Sequence, residues 1–334
     1  MTFVNTAREL QRQFLAKSPT FSTEARSGKS THVLPKGRGI ENLYPPIRAS
    51  ALEFFEERRI KWWRSPLSGD DVKATGPTQN MVSSQVACVN YLLPLASHRS
   101  ALVAMLRAID GDVVDVVSIE YDLPDGEPAS SFVELEWVGL AGSLEGASVT
   151  RGMHVTSADA LLIGQTEQGR HRAYLFEWKN AECYSPDDNK GLGKSGQTRK
   201  KRYEALYRAS DSPFNNTESI DALLYEPFYQ LMRLGLLGAK MVRDRELAVS
   251  EARVVVVCPE ANREYRGRIT SPDLRSRSFE SVELVMRSVA RNPEMFRIVD
   301  PASLAKAIKP VGGADTEGWL GYHSDRYGWP SAKE

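Results

Sequence analysis

The apolar positions of the chain follow two rhythms, and the change between them organises the sequence. Up to about residue 45 the chain is polar and punctuated by Gly and Ser. The exception is an amphipathic stretch around Leu10, Phe14 and Leu15, which predicts an arm with one docked helix. Ala49 to Trp63 (ASALEFFEERRIKWW) has helical composition and carries Phe54, Phe55, Ile60, Trp62 and Trp63. Gly69 to Gln79 has the Gly, Pro and Asp signals of a loop. A mostly apolar helix is predicted from Val82 through Gln85, Cys88, Val89 and Leu92, interrupted by Pro94. A second runs from about Ser100 to Ile109, closed by Asp110-Gly111.

The rhythm then becomes two-fold. Val113 to Tyr121 is dense in β-branched residues, Ser131 to Leu140 alternates, and both read as strands. Thr156 to Gln165 and Arg172 to Asn180 read as two more, joined by a hairpin turn at Thr166-Glu167-Gln168-Gly169. After a Gly, Asp and Ser-rich loop from about Tyr184 to Gly196, a helix is predicted from Gln197 to Ala209. Tyr203, Leu206 and Tyr207 share one of its faces. Pro227 opens a helix running to about Val242. Arg253 to Cys258, stopped by Pro259, has the continuous apolar character of a strand buried on both faces. No internal repeat is visible.

Composition narrows the classes. The 334 residues are 41% hydrophobic and 26% charged, with no low-complexity tract, as expected of a soluble globular protein. Lys+Arg and Asp+Glu both number 43, so a protein that coats nucleic acid through overall positive charge is excluded and any such surface must be local. The 3 cysteines, Cys88, Cys183 and Cys258, form neither a disulfide framework nor a CxxC pattern, and Cys88 and Cys258 lie in apolar runs. With no basic-then-apolar leader and no apolar run near the roughly 20 residues of a membrane helix, the expectation is a cytoplasmic protein.

The hairpin carries the candidate chemistry. Glu177 and Lys179 are two residues apart, so their side chains leave one face of the strand, together with Leu175 and Ala173. Tyr174, Phe176 and Trp178 leave the other. On the preceding strand Asp159 shares its face with Leu161 and Ile163, and a hairpin centred near Gln168 sets Asp159 opposite Glu177. Cross-strand Cβ atoms lie roughly 5 Å apart, close enough for two carboxylates to share one cation. Two carboxylates at the end of apolar strands repel each other, and a hard divalent ion relieves that repulsion. Such an ion activates water and screens a phosphate, while Lys179 orients the water or meets the developing charge.

Asp on one core strand and Glu-x-Lys on the next, here Thr156-Ser157-Ala158-Asp159 and Phe176-Glu177-Trp178-Lys179, resembles the signature of the PD-(D/E)XK nuclease superfamily. The order of elements over residues 80–260 is similar to that superfamily's α-β-β-β-α-β core. Ala158 stands where the short motif has proline. The resemblance implies an α/β (α+β) restriction-endonuclease-like core at 81–260. An N-terminal arm and helical extension at 1–80 and a C-terminal helical extension with an aromatic tail at 261–334 complete the expected chain. It implies a nuclease holding Mg²⁺ or Mn²⁺ on Asp159 and Glu177, with Lys179 as the third catalytic group. The substrate is expected to be DNA, with RNA left open, as is a homodimer. Members often add an acidic residue from the first core helix, which here offers only Gln85; Glu120 or Glu136 could substitute. The alternative is a catalytically inactive module of the same fold that binds nucleic acid or a protein.

Other features bear on binding. Lys190, Lys194, Arg199, Lys200, Lys201 and Arg202 form the strongest basic cluster, directly after the catalytic strand, and are candidate phosphate contacts against the plainer reading of a solvated helix face. Gly193-Lys194-Ser195 superficially suggests a P-loop, but Asp188 stands where glycine is needed, which excludes a nucleotide cofactor. Arg263, Arg266, Arg268, Arg275 and Arg277, interleaved with Glu264 and Asp273, read as a surface loop. His32, His98, His154, His171 and His323 lack ligand spacing. Gln230 and Arg233 share one side of the Pro227 helix; Gln230 is an accessory candidate, with a surface role the stronger reading. Trp319, Tyr322, Tyr327 and Trp329 read as pinning a tail onto the core rather than stacking bases.

Overall fold

In the computed structural model the described residues are 2–28, 32–64, 75–140, 142–146 and 155–329. His154 and the first part of the loop expected from Gly69 lie outside them. The helices are α1 (Phe3–Lys17), α2 (Thr23–Arg26), α3 (Arg48–Glu57), α4 (Ser84–Leu92), α5 (Arg99–Ile109), α6 (Gly193–Arg208), α7 (Phe228–Arg243), α8 (Arg263–Arg266), α9 (Pro272–Ser276), α10 (Val282–Val289) and α11 (Pro301–Tyr327). The strands are β1 (Val113–Val117), β2 (Ile119–Asp122), β3 (Pro128–Ser131), β4 (Glu134–Trp137), β5 (Ala158–Thr166), β6 (His171–Trp178), β7 (Val249–Val257) and β8 (Phe296–Val299).

Six strands make one mixed sheet in the order β1-β5-β6-β7-β8, with β4 beside β1 along the same edge of β5. β5 and β6 pair antiparallel; β6, β7 and β8 run parallel. The two faces of each strand feed two cores. Leu161, Ile163, Ala173, Leu175, Val254 and Val256 pack with α6, α7 and α10 on one side. Ala160, Leu162, Tyr174, Phe176, Val255 and Val257 pack with α4, α5 and α11 on the other. Central strands covered by helices on both faces need apolar residues at every position, which is the continuous run seen in β7. The result is an α+β fold of the restriction-endonuclease-like kind, a mixed sheet between helical layers.

Several elements differ from the sequence reading for identifiable reasons. The helix expected over Ala49 to Trp63 ends at Glu57, because Arg59 turns to φ 52° and Ile60 N–H bonds back to Phe55. Trp62 then stacks on Phe55 as part of a loop, with ring centroids 3.7 Å apart. The strand expected over Val113 to Tyr121 breaks at Ser118: β1 joins the main sheet while β2 pairs with β3 in a separate ribbon. The strand expected over Ser131 to Leu140 shortens to β4. The sheet also takes its last strand, β8, from beyond the stretch 81–260 read as core.

The chain's two ends meet. Gln11 of α1 and Arg326 of α11 exchange hydrogen bonds, Nε2 to the Arg326 carbonyl at 2.9 Å and Arg326 Nε to Gln11 Oε1 at 3.0 Å. Arg326 is fully buried and held by neutral oxygens of Asn42, Met81 and Tyr322. Phe14 packs edge-on against Tyr322. Trp319 is 1% exposed, and the rings of His323, Tyr327 and Trp329 form one mutually packed triangle. The terminal aromatics therefore pin α11 onto the core, as expected.

Candidate active site at one end of the sheet

β5 begins and β6 ends at the same edge of the sheet, and the register decides what meets there. Ala160 pairs with Phe176 and Leu161 with Leu175, so one further step sets Asp159 opposite Glu177. On the other side of β5, Leu135 pairs with Ala160 and Trp137 with Ala158, which puts Glu136 across from Asp159. Three carboxylates thus stand in a row over β4, β5 and β6. Glu136 adopts φ 49°, a left-handed conformation that non-glycine residues enter at a cost of roughly 1–3 kcal/mol and that tends to cluster at functional sites.

Each side chain is held by specific partners. Asp159 Oδ2 accepts from the Trp178 N–H at 2.6 Å. Glu136 Oε1 accepts from Gln85 Nε2 at 2.7 Å, and its Oε2 accepts from Ser157 Oγ at 2.9 Å. Lys179 leaves β6 on the Asp159/Glu177 face; its Nζ lies 2.7 Å from Glu177 Oε1 and donates to Gln230 Oε1 at 2.8 Å. Gln230 arrives from α7, which covers that face, so the expected surface position gives way to a contact with the lysine. Glu177 is 1% exposed, and its Oε2 has no hydrogen-bond partner among the described residues.

Burial and mutual repulsion govern the charges. Desolvation raises the Glu177 carboxyl well above the carboxylate range, with Asp159 adding to the rise and Lys179 opposing it. Asp159 is raised by desolvation and then by Glu136, against Lys179 and the Trp178 N–H. Burial pulls the Lys179 ammonium down, but Glu177, Tyr184 and Glu182 outweigh it and hold it charged. The lysine favours an ionised Glu177 while Asp159 disfavours it. The upward direction wins for the carboxyls because one ammonium cannot neutralise the row and burial strips much of the water from it.

These residues line a cleft of about 550 Å³. Arg233 lines it beside Gln230, whose helix side it shares; Glu182, Tyr184 and Glu226 also line it and carry no spacing signal, because loops bring them in from a distance. Glu226, just before α7, is raised by desolvation, and its Oε2 lacks a hydrogen-bond partner among the described residues. Arg233 Nε donates to Thr156 Oγ1 at 2.9 Å, and Thr156 in turn donates to Glu145. Of the other candidates, Glu120 sits exposed on the β2–β3 ribbon and does not line the cleft. Lys190 lines it, 4.0 Å from Glu226. Lys200 is paired with Asp221 at 2.5 Å, and Arg199 donates to the Lys190 carbonyl at 3.0 Å. Lys194, Lys201 and Arg202 are exposed on α6. In the second basic segment Arg266, Arg268 and Arg275 are spent on loop carbonyls and Arg277 on Glu218, which supports the plain surface reading.

A divalent cation suits two of these groups. Asp159, half-buried, and Glu177, buried, are adjacent carboxylates that disfavour joint ionisation, and Glu177 Oε2 is left without a partner among the described residues. Among the described residues no group of three His, Cys, Asp or Glu side chains is arranged to hold an ion. Mg²⁺ matches a two-carboxylate site, since it keeps several waters and takes further oxygens from a substrate phosphate. No helix among the described residues is long and apolar enough to cross a membrane.

The model of a family described as Restriction Endonuclease associating with ARP matches residues 8–328. No curated protein and no solved structure matches the chain.

Proposed function

The chain belongs to the family of restriction endonucleases associating with ARP, and from that membership we propose a PD-(D/E)XK-type nuclease that hydrolyses phosphodiester bonds in DNA. The observation that carries the proposal is the pairing register, which sets Asp159 against Glu177 with Lys179 on the same face. Asp159 and Glu177 would hold Mg²⁺ or Mn²⁺; when bound, the ion lowers the pKa of water and screens the scissile phosphate. Lys179, kept charged by Glu177 and aimed by Gln230, donates hydrogen bonds to the attacking water or to the oxygen gaining charge. The low dielectric of the buried floor strengthens those contacts. Glu136 and Gln85 form a wall that orients the start of β5 through Ser157. Lys190, Lys194, Lys201 and Arg202 are proposed as backbone-phosphate contacts, with Arg199 and Lys200 bracing that surface. Association with ARP, the partner in the family's description, is proposed for this chain too.

One observation favours a second reading: the two-carboxylate donor set also suits a module of this fold that binds without cutting. Cleavage of labelled DNA decides between them. The full chain should cut DNA in Mg²⁺ or Mn²⁺ and stop on chelation. Asp159→Asn and Lys179→Ala should each lose about 10²–10³-fold or more in rate while keeping fold and DNA binding. Binding by the wild type with no cleavage in either metal leaves the binding module.

A further inference from the structure

The reactive groups lie at the floor of the cleft, where Glu177 is 1% and Lys179 5% exposed. Its volume of about 550 Å³ falls within the roughly 300–1,000 Å³ that encloses one small organic molecule. A duplex keeps its phosphates on the outside of a rigid rod whose major groove alone is roughly 12 Å wide. A single strand can bring a phosphodiester down to such a floor with one nucleotide following it.

The cleft also carries an aromatic that is half exposed. Trp137, Trp178 and Trp319 are buried, but Trp63 is 51% exposed and lines this cleft. Its backbone is held while its side chain is half open to solvent. Trp62 beside it is stacked on Phe55 with planes 7° apart. The Trp63 N–H donates to Gln85 Oε1 at 2.8 Å, Gln85 Nε2 donates to Glu136 at 2.7 Å, and Glu136 accepts from Ser157, two residues before Asp159. A hydrogen-bonded chain therefore registers the Trp63 backbone against the catalytic strand. Besides Lys179 and Arg8, two cations line the same cavity: Arg233, locked by Thr156 and lying 3.6 Å from Glu145, and Lys190, whose side chain is 36% exposed. A flat apolar ring at the lip and cations within match a nucleotide, whose base has a π-face and whose phosphate is anionic.

We propose that this cleft binds an unpaired nucleic-acid strand, with a base stacked on Trp63 and its phosphate directed toward Arg233 and Lys190. Trp63 selects single-stranded, frayed or distorted substrate over intact duplex. This substrate class rests on the nuclease reading of the same site.

The test uses the full chain in chelator, so that nothing is cut, with a fluorescently labelled short mixed-sequence DNA as a single strand and as a duplex. The single strand should bind more tightly. Trp63→Ala should weaken its binding by about 5- to 150-fold, the range for removing one base–aromatic stack, and should change duplex binding little. Trp63→Phe should recover most of that affinity and Trp63→Leu, which keeps apolar bulk without a ring, should not. Intrinsic tryptophan emission should be quenched by the single strand in the wild type and much less in Trp63→Phe. Equal single-strand binding by Trp63→Ala and wild type, or tighter binding of duplex, overturns the proposal. Repeating the series in Mg²⁺ separates the two readings. Trp63-dependent binding without cleavage removes the nuclease reading and keeps the stacking site. Cleavage of duplex that ignores Trp63 does the reverse, and no binding of either form removes both.

Discussion

Acid should loosen the joint between the two ends of the chain, and His323 makes that quantitative. Its ring is fully buried, stacked at 4.9 Å on Trp329 and 5.4 Å on Tyr327, with Tyr91, Trp319 and Tyr322 around it. Nε2 lies 3.1 Å from the Asn90 carbonyl, a contact that requires the proton on that nitrogen, and Nδ1 has no partner among the described residues. Burial lowers its pKa to about 3; the Asn90 carbonyl opposes the drop and the nearby Arg326 charge adds to it. A depressed histidine contributes stability that is complete above its unfolded value of 6.5 and is lost as pH falls toward 3. Each pH unit in that window costs about 1.4 kcal/mol, so moving from pH 7 to pH 5 should remove roughly 2 kcal/mol. His323→Phe keeps a flat ring but cannot take a proton. It should be weaker by about 1 kcal/mol at pH 7, for want of the Asn90 hydrogen bond, yet should fall less between pH 7 and 5 by that same 2 kcal/mol. Urea unfolding of both proteins at several pH values reads the difference, and hydrogen exchange should show the added opening in α1 and α11. Parallel stability curves for the two proteins would refute the reasoning.

Three further outcomes follow from the geometry. Gln230→Ala removes the acceptor that aims Lys179 and should lower the cleavage rate about tenfold with little change in DNA affinity, measured by single-turnover kinetics. Neutralising Lys194, Lys201 and Arg202 together should flatten the salt dependence of duplex binding by about 0.9 in slope for each phosphate no longer neutralised, with no change in melting temperature. Arg326→Met strips the donors from Asn42, Met81, Tyr322 and Gln11 and should destabilise the fold by about 3–5 kcal/mol in denaturant titration.

The parts of the site that sequence could reveal are those fixed by local geometry. A four-residue turn at Thr166 to Gly169 and strict alternation on both flanking strands are enough to pair Asp159 with Glu177 and to aim Lys179 along the same face. The two-sided burial of β7 was equally visible in its unbroken valines. What escaped was set at long range. Glu136 could not be preferred to Glu120, because the break at Ser118 sends one into a solvent-facing ribbon and the other beside Asp159. The lysine's partner, Gln230, lies 51 positions further along, and its spacing beside Arg233 showed a shared helix side but not that this side faces the lysine. Trp63 looked like the end of a helix, and only the reversal at Arg59 lifts it out to the lip.

The clasp between Gln11 and Arg326 also has a consequence for the order of events during synthesis. Its partners are 315 positions apart, so α1, although Phe14 and Leu15 also pack on Phe21, Ala25, Leu34 and Met81, cannot close its contact with α11 until Arg326 has been synthesised. At about 5–20 residues per second that wait is roughly 16 to 63 s. Val4 and Arg8 of α1 line the cleft, so its rim is finished only after the floor has had time to form. A nascent chain that has not yet reached Arg326 therefore holds Asp159 and Glu177 in a groove whose α1 rim is still unclasped.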